Sequence, residues 1–170
     1  MRLWIVTLLS LLFFGCSTHY PPLQTVEKVE LNSYLGSWYE IARYEHFFEE
    51  GCVDAKATYS LKEGGQINVL NECIKNGEYS RVNGVAYAID ESNSKLKVSF
   101  FRPFYGNYWI LMLGDNYEYA LIGDPSRKYL WILARENKIS QALTMKILDK
   151  LPELGYSEDK LVWTPQGGEL

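Results

Sequence analysis

Apolar and polar residues alternate with a period of two through most of the chain from residue 37 to residue 135, the spacing of strands with one face on a core and the other in water. Residues 37–44 open the series. Ala55, Ala57, Tyr59 and Leu61 then alternate with Lys56, Thr58, Ser60 and Lys62, so the first set is expected to point inward. Gly64-Gly65 supplies a tight hairpin turn, after which Ile67, Val69, Asn71 and Cys73 share one face. Residues 81–89 continue the meander with a face of small residues, Gly84, Ala86 and Ala88, that leaves room inside. Leu96, Val98 and Phe100 face inward against Lys95, Lys97 and Ser99, and residues 101–107 read as a mouth loop. Strands near 108–113, 117–123 and 128–135 bring the count to eight. The fold class is therefore all-β, an eight-stranded antiparallel up-and-down barrel with space for side chains or one small ligand.

The period then changes to that of a helix. Ser140 is an N-cap, and Leu143, Ile147, Leu148, Leu151 and Leu154 form an apolar stripe for one C-terminal α-helix packed outside the barrel. Pro152 should end or kink it near Leu151, with a finish at Gly155. Residues 160–163 read as a short closing strand and 164–170 as a loose tail. Residues 45–51 suit a turn at the barrel mouth, with Phe47 and Phe48 tucked beneath it.

At the other end, Met1-Arg2 precedes an apolar run over residues 3–14 and then Gly15-Cys16-Ser17. The run is too short to span a bilayer as an ordinary helix and reads as an export signal. Its end resembles the bacterial lipobox, which implies cleavage before Cys16, attachment of palmitate-type acyl chains to that residue and, with Ser17 next, sorting to the outer membrane. Phe13 and Phe14 depart from the usual residues there. The expected organisation is a lipoprotein signal peptide over 1–15, a lipidated Cys16 with an extended tether over 16–30, and a barrel domain over 31–170.

Composition narrows the function classes. With 47% hydrophobic and 22% charged residues, the 170-residue chain supports one globular domain, and 15% aromatic content favours a broad apolar lining. A net charge of −4 without a basic block argues against a nucleic-acid partner. His19 and His46 have no metal-site spacing, and no cofactor is expected. Cys16 aside, Cys52 and Cys73 remain, and an exported chain favours a disulfide between them over two free thiols. In a hairpin centred on Gly64-Gly65, Cys73 lies opposite about Lys56, so Cys52 must curl back to meet it. As an inward nucleophile Cys73 would lack a neighbouring His, Lys or Arg to activate it. No catalytic triad, carboxylate pair or phosphate loop is evident, so binding is preferred to enzymatic activity.

Gly36-Ser37-Trp38, with the surrounding Leu35–Arg43, and Tyr129-Leu-Trp-Ile-Leu-Ala-Arg135 resemble the motifs of lipocalins, in particular the bacterial lipocalin and apolipoprotein D group; the likeness runs from about Leu31 to Trp163. The resemblance implies that Gly36 makes the entry bend, that Trp38 plugs the closed end, and that Arg135 packs across it. Asp115 and Tyr117 match a second lipocalin motif only in part. If Arg135 faces the base, period two aims Tyr129, Trp131 and Leu133 into the barrel. Tyr59, Val69, Leu96, Val98, Phe100 and Trp131 are then expected to line a ligand cavity, with Asn71 and Tyr59 meeting a polar head group; core packing and a structural partner for Asn71 remain the alternatives. The resemblance implies reversible binding, storage or transport of a fatty acid or lysophospholipid, by a protein lipid-anchored at the periplasmic face of the outer membrane. A non-carrier envelope or stress-linked lipoprotein with a filled barrel is the alternative, and a homodimer is left open.

Overall fold

Each expected strand forms and pairs antiparallel with the next, as hairpin-connected alternating sequences require. The computed structural model describes residues 20–167. A one-turn helix α1 (Leu31–Tyr34) leads into β1 (Gly36–Tyr44), β2 (Cys52–Leu61), β3 (Ile67–Lys75), β4 (Glu78–Ala88), β5 (Lys95–Phe101), β6 (Phe104–Leu113), β7 (Tyr119–Gly123) and β8 (Leu130–Ala134). β1 pairs with both β2 and β8, which closes the barrel. The strand directions assign the loops to two ends. Gly36 and the loops 62–66, 89–94 and 114–118 form the base, while 45–51, 76–77, 102–103 and 124–129 form the mouth.

Two apolar clusters hold this shell. Inside lie Trp38, Tyr59, Ile67, Val69, Leu96, Ile110 and Leu133. Outside, α2 (Gln141–Lys150) and its C-cap Leu151 place Ile147 and Leu151 against Leu121, Ile132 and Ala134 of β7 and β8. Its start is fixed by Ser140, whose hydroxyl accepts the Leu143 N–H at 3.2 Å. A 3₁₀ turn at Pro152–Leu154 and Gly155 end it where the proline predicts. A short strand β9 (Leu161–Trp163) pairs with β1.

Several expectations need correction. Residues 21–29 are extended but do not hang free as a tether. Arg127 in a mouth loop donates to Pro21 O at 2.7 Å, Val26 N–H donates to Ile110 O, and Val29 N–H donates to Ser92 O in a base loop. The segment thus runs down the barrel from mouth to base and buries Leu23 and Val29 on the way. Its apolar residues recur every third position, a spacing that neither a strand nor a helix search detects.

The tail is not loose either. Thr164 N–H bonds Ile41 O, Asp54 N–H bonds Pro165 O, and Gln166 Nε2 donates both to Glu40 O and to Ala55 O. β1 meets β2 only over residues 36–39 and β9 over 42–44, so residues 161–167 fill the seam where β1 and β2 part near the mouth. Leu61 is exposed because β2 runs past the base. Residues 101–107 are mostly strand, with Phe101 paired to Phe104 and only Arg102-Pro103 left as the turn. Phe47 and Phe48 are exposed instead of tucked. Cys16 and the leader lie outside the described residues.

Candidate functional site

The barrel encloses a cavity of about 950 Å³ that reaches the mouth. Tyr59, Val69, Asn71, Leu96, Val98, Phe100 and Trp131 all line it, as do Tyr129 and Leu133. Gly84 makes part of the wall possible by what it lacks: a Cβ there would stand 2.7 Å from the Phe100 ring, so glycine lets that ring lie flat against β4.

Beneath the cavity, Trp38 is fully buried and donates its indole N–H to Tyr34 O at 2.8 Å. The Arg135 guanidinium carbon stands 3.9 Å from the Trp38 ring centroid. Its nitrogens donate to Tyr117 O, Ser37 O, Ser33 O and Leu35 O, tying the β7 approach and the α1–β1 corner to β8. Gly36 takes a positive φ of 93°, the bend that brings that corner under the base. Neither Trp38 nor Arg135 lines the cavity.

The cavity floor is a chain of three tyrosines. Tyr108 OH lies 2.7 Å from Tyr34 OH and 3.0 Å from Tyr59 OH. Burial raises all three phenol pKa values, so they stay neutral. Three hydroxyls linked by two hydrogen bonds leave one phenolic proton unspent. The Tyr59 hydroxyl is therefore part of the floor, whereas Asn71, level with Ala57 on the neighbouring strand, stands one pleat nearer the mouth. Asn71 Oδ1 is buried without a hydrogen-bond partner among the described residues.

Near the mouth is a cluster that the sequence did not reveal. Glu40 and Arg43, three residues apart on one strand, should face opposite ways. A bulge in β1 between Glu40 and Ala42 shifts the parity, and Arg43 Nη1 meets Glu40 Oε1 at 2.8 Å with both side chains buried. Thr164 from the tail donates to the same oxygen. Glu49 in the β1–β2 loop accepts the Trp131 indole N–H at 3.1 Å. Burial first, then the neighbouring Glu40 charge, pushes the Glu49 pKa up to about 8. His46 Nε2 lies 3.3 Å from Glu49, but burial and Arg43 lower the imidazole to about 4. Both groups are neutral near pH 7, and the contact is not an ion pair.

This gives a test by pH. Trp131 emission should change as pH rises through about 8, because ionised Glu49 is a stronger acceptor for the indole N–H. Glu49→Gln should remove that transition; its persistence would assign the titration to another group.

Cys52 and Cys73 are joined at the rim, with Cα atoms 5.6 Å apart. Cys52 pairs in register with Lys75, and the bulge at Asp54 and Ala55 supplies the curl that brings it to Cys73. The disulfide leaves Cys73 no thiolate for nucleophilic chemistry. Among the described residues no His, Cys, Asp or Glu cluster could hold a metal ion.

A closed up-and-down barrel with an aromatic-lined cavity, a Trp–Arg plug at its base and one flanking helix defines a small-ligand-binding calyx. The chain matches the lipocalin-like domain over residues 29–166, and it belongs to the lipocalin family. It is 40% identical over 164 residues to the outer membrane lipoprotein Blc of Citrobacter freundii, covering 94% of this chain and 93% of that protein. It is 33% identical over 157 residues to apolipoprotein D of Cavia porcellus, covering 86% and 80%. Among solved structures, insecticyanin from Manduca sexta superposes with a TM-score of 0.71 at 19% identity and 86% coverage of both chains, a likeness of fold.

Proposed function

We propose that this protein binds a single-tailed amphiphile, a fatty acid or lysophospholipid, as a lipoprotein of the bacterial outer membrane acylated on Cys16, and that it stores or carries that ligand without transforming it. The observation that carries the reading is one buried, unpartnered polar atom, Asn71 Oδ1, on the wall of a mostly apolar cavity of about 950 Å³. Burial of an acyl tail contributes about 0.8 kcal/mol per methylene. The Asn71 carbonyl needs a donor, which a glycerol hydroxyl or a protonated acid supplies. A barrel filled by its own side chains would lack this space. The resemblance to lipoprotein Blc over 94% of the chain supports the anchor and the outer-membrane location.

Adding a lysophospholipid or long-chain fatty acid should change tryptophan fluorescence saturably, and Trp131→Phe should remove most of the change. Binding by an independent assay without a Trp131-dependent signal would place the ligand elsewhere; no binding at any chain length would refute the carrier function. Cys16→Ser, expressed in a Gram-negative host, should move the protein from the membrane fraction to the soluble periplasm. Unchanged fractionation would refute the anchor.

A further inference from the structure

The rim of the cavity, at the barrel mouth, carries aromatic side chains that face solvent. Phe47 in the β1–β2 loop is 83% exposed, and Phe101 and Phe104 at the β5–β6 turn are 80% and 74% exposed; Phe48 and Tyr105 beside them are also open to solvent. Around an eight-stranded barrel these two loops are on opposite sides, so the aromatics flank the opening from both directions. Exposed phenylalanines at loop tips contribute nothing to the core, and such a patch marks a surface that is covered in use.

The course of the N-terminal segment says what covers it. Because residues 21–29 descend the barrel, the chain enters at the mouth, where Pro21 is bonded to Arg127 and the Arg127 guanidinium lies 5.1 Å from the Tyr20 ring centroid. Cys16 is four residues before Tyr20. Even a fully extended chain spans only about 14 Å over that interval. A membrane anchor at Cys16 therefore holds the mouth, and not the base, against the bilayer.

We propose that the mouth is a membrane-docking surface, in which Phe47, Phe101 and Phe104 enter the headgroup and upper acyl region of the bilayer that receives the Cys16 acyl chains. The proposal rests on the acylation reading of Cys16. Aromatic side chains suit that interfacial layer, and Arg102, between Phe101 and Phe104, is placed to reach the phosphates while the rings lie deeper. A second copy seated mouth to mouth would have to accommodate the anchor leaving from the same end. Docking gives an amphiphile a route between bilayer and cavity that avoids bulk water.

The test uses the acylated full chain in vesicles of phosphatidylethanolamine and phosphatidylglycerol. With Cys16 acylated and Cys52–Cys73 oxidised, Phe104→Cys supplies a single thiol for a spin label, and Glu63→Cys in the base loop supplies the control. The label at 104 should be shielded from an aqueous nickel chelate and reached by oxygen, while the label at 63 stays in water. Both labels in water, with the protein still floating with the vesicles, would overturn docking and leave the anchor standing. Failure to float, with no acyl mass on the N-terminus, would overturn the anchor and the proposal together. Shielding at 104 without vesicles, with dipolar coupling between labels, would assign the surface to a second copy.

A triple variant, Phe47→Ser with Phe101→Ser and Phe104→Ser, touches only exposed positions. It should slow transfer of a fluorescent lysophospholipid from vesicle to cavity about tenfold or more, a larger factor than any loss of affinity in titration with the same lipid below its micelle concentration; a loss of affinity as large as the loss of rate would make the rings rim contacts of the ligand and overturn docking. An unchanged transfer rate would overturn the proposal.

Discussion

Trp38→Ala is expected to destabilise the protein by about 3–5 kcal/mol, the range for deleting a fully buried large aromatic side chain. Three losses coincide at this residue. The cavity left would adjoin the tyrosine floor, the hydrogen bond to Tyr34 O would vanish, and the Arg135 guanidinium would lose the ring it lies on. Arg135 would still be held by carbonyls from α1, β1 and the β6–β7 loop, so the fold should survive at reduced stability. Urea denaturation measures the effect. A loss below about 1 kcal/mol would show that the base is closed by the surrounding strands and not by the plug.

Removing the disulfide, by Cys52→Ser with Cys73→Ser, is expected to cost about 3 kcal/mol for a loop closed over a sequence separation of 21. The effect arises mainly in the unfolded chain, which the bond shortens. The β2–β3 register between Lys56 and Ile67 should remain, since its pairs extend away from the bond. A midpoint shift in denaturant without loss of ligand affinity is the expected pattern. Equal stability with and without reductant would show that the Asp54–Ala55 bulge, by itself, already fixes the rim.

The strands, the helix, its proline stop and the inward face of the cavity were legible because each follows one period over several residues. The seven expected lining residues occupy one continuous interior for that reason. The Trp38–Arg135 contact lies beneath it and was announced by the lipocalin motif pair, nearly a hundred residues apart, and not by a period. What escaped depends on broken periods. The Glu40–Arg43 pair exists only because a bulge reverses the parity of β1. Glu49 and His46 sit in a loop whose placement no local pattern dictates. The descent of residues 21–29 has a spacing of three, and the tail binds by backbone groups that carry no side-chain signature. Phe47 and Phe48 were misplaced by the general rule that large apolar residues go inside; in this loop the buried ring is His46, with Phe48 stacked on it and Phe47 left on the rim.

The seam filled by residues 161–167 has a consequence for how the protein is made. The bonds that complete it join Glu40, Asp54 and Ala55 to Thr164, Gln166 and Gly167, partners 111 to 126 positions apart. A polypeptide emerging amino end first cannot form them until residues 164–167 have emerged. Hairpins can assemble earlier, but the ring stays unlatched until those residues arrive, because closure over such separations carries its full entropic cost before any contact rewards it.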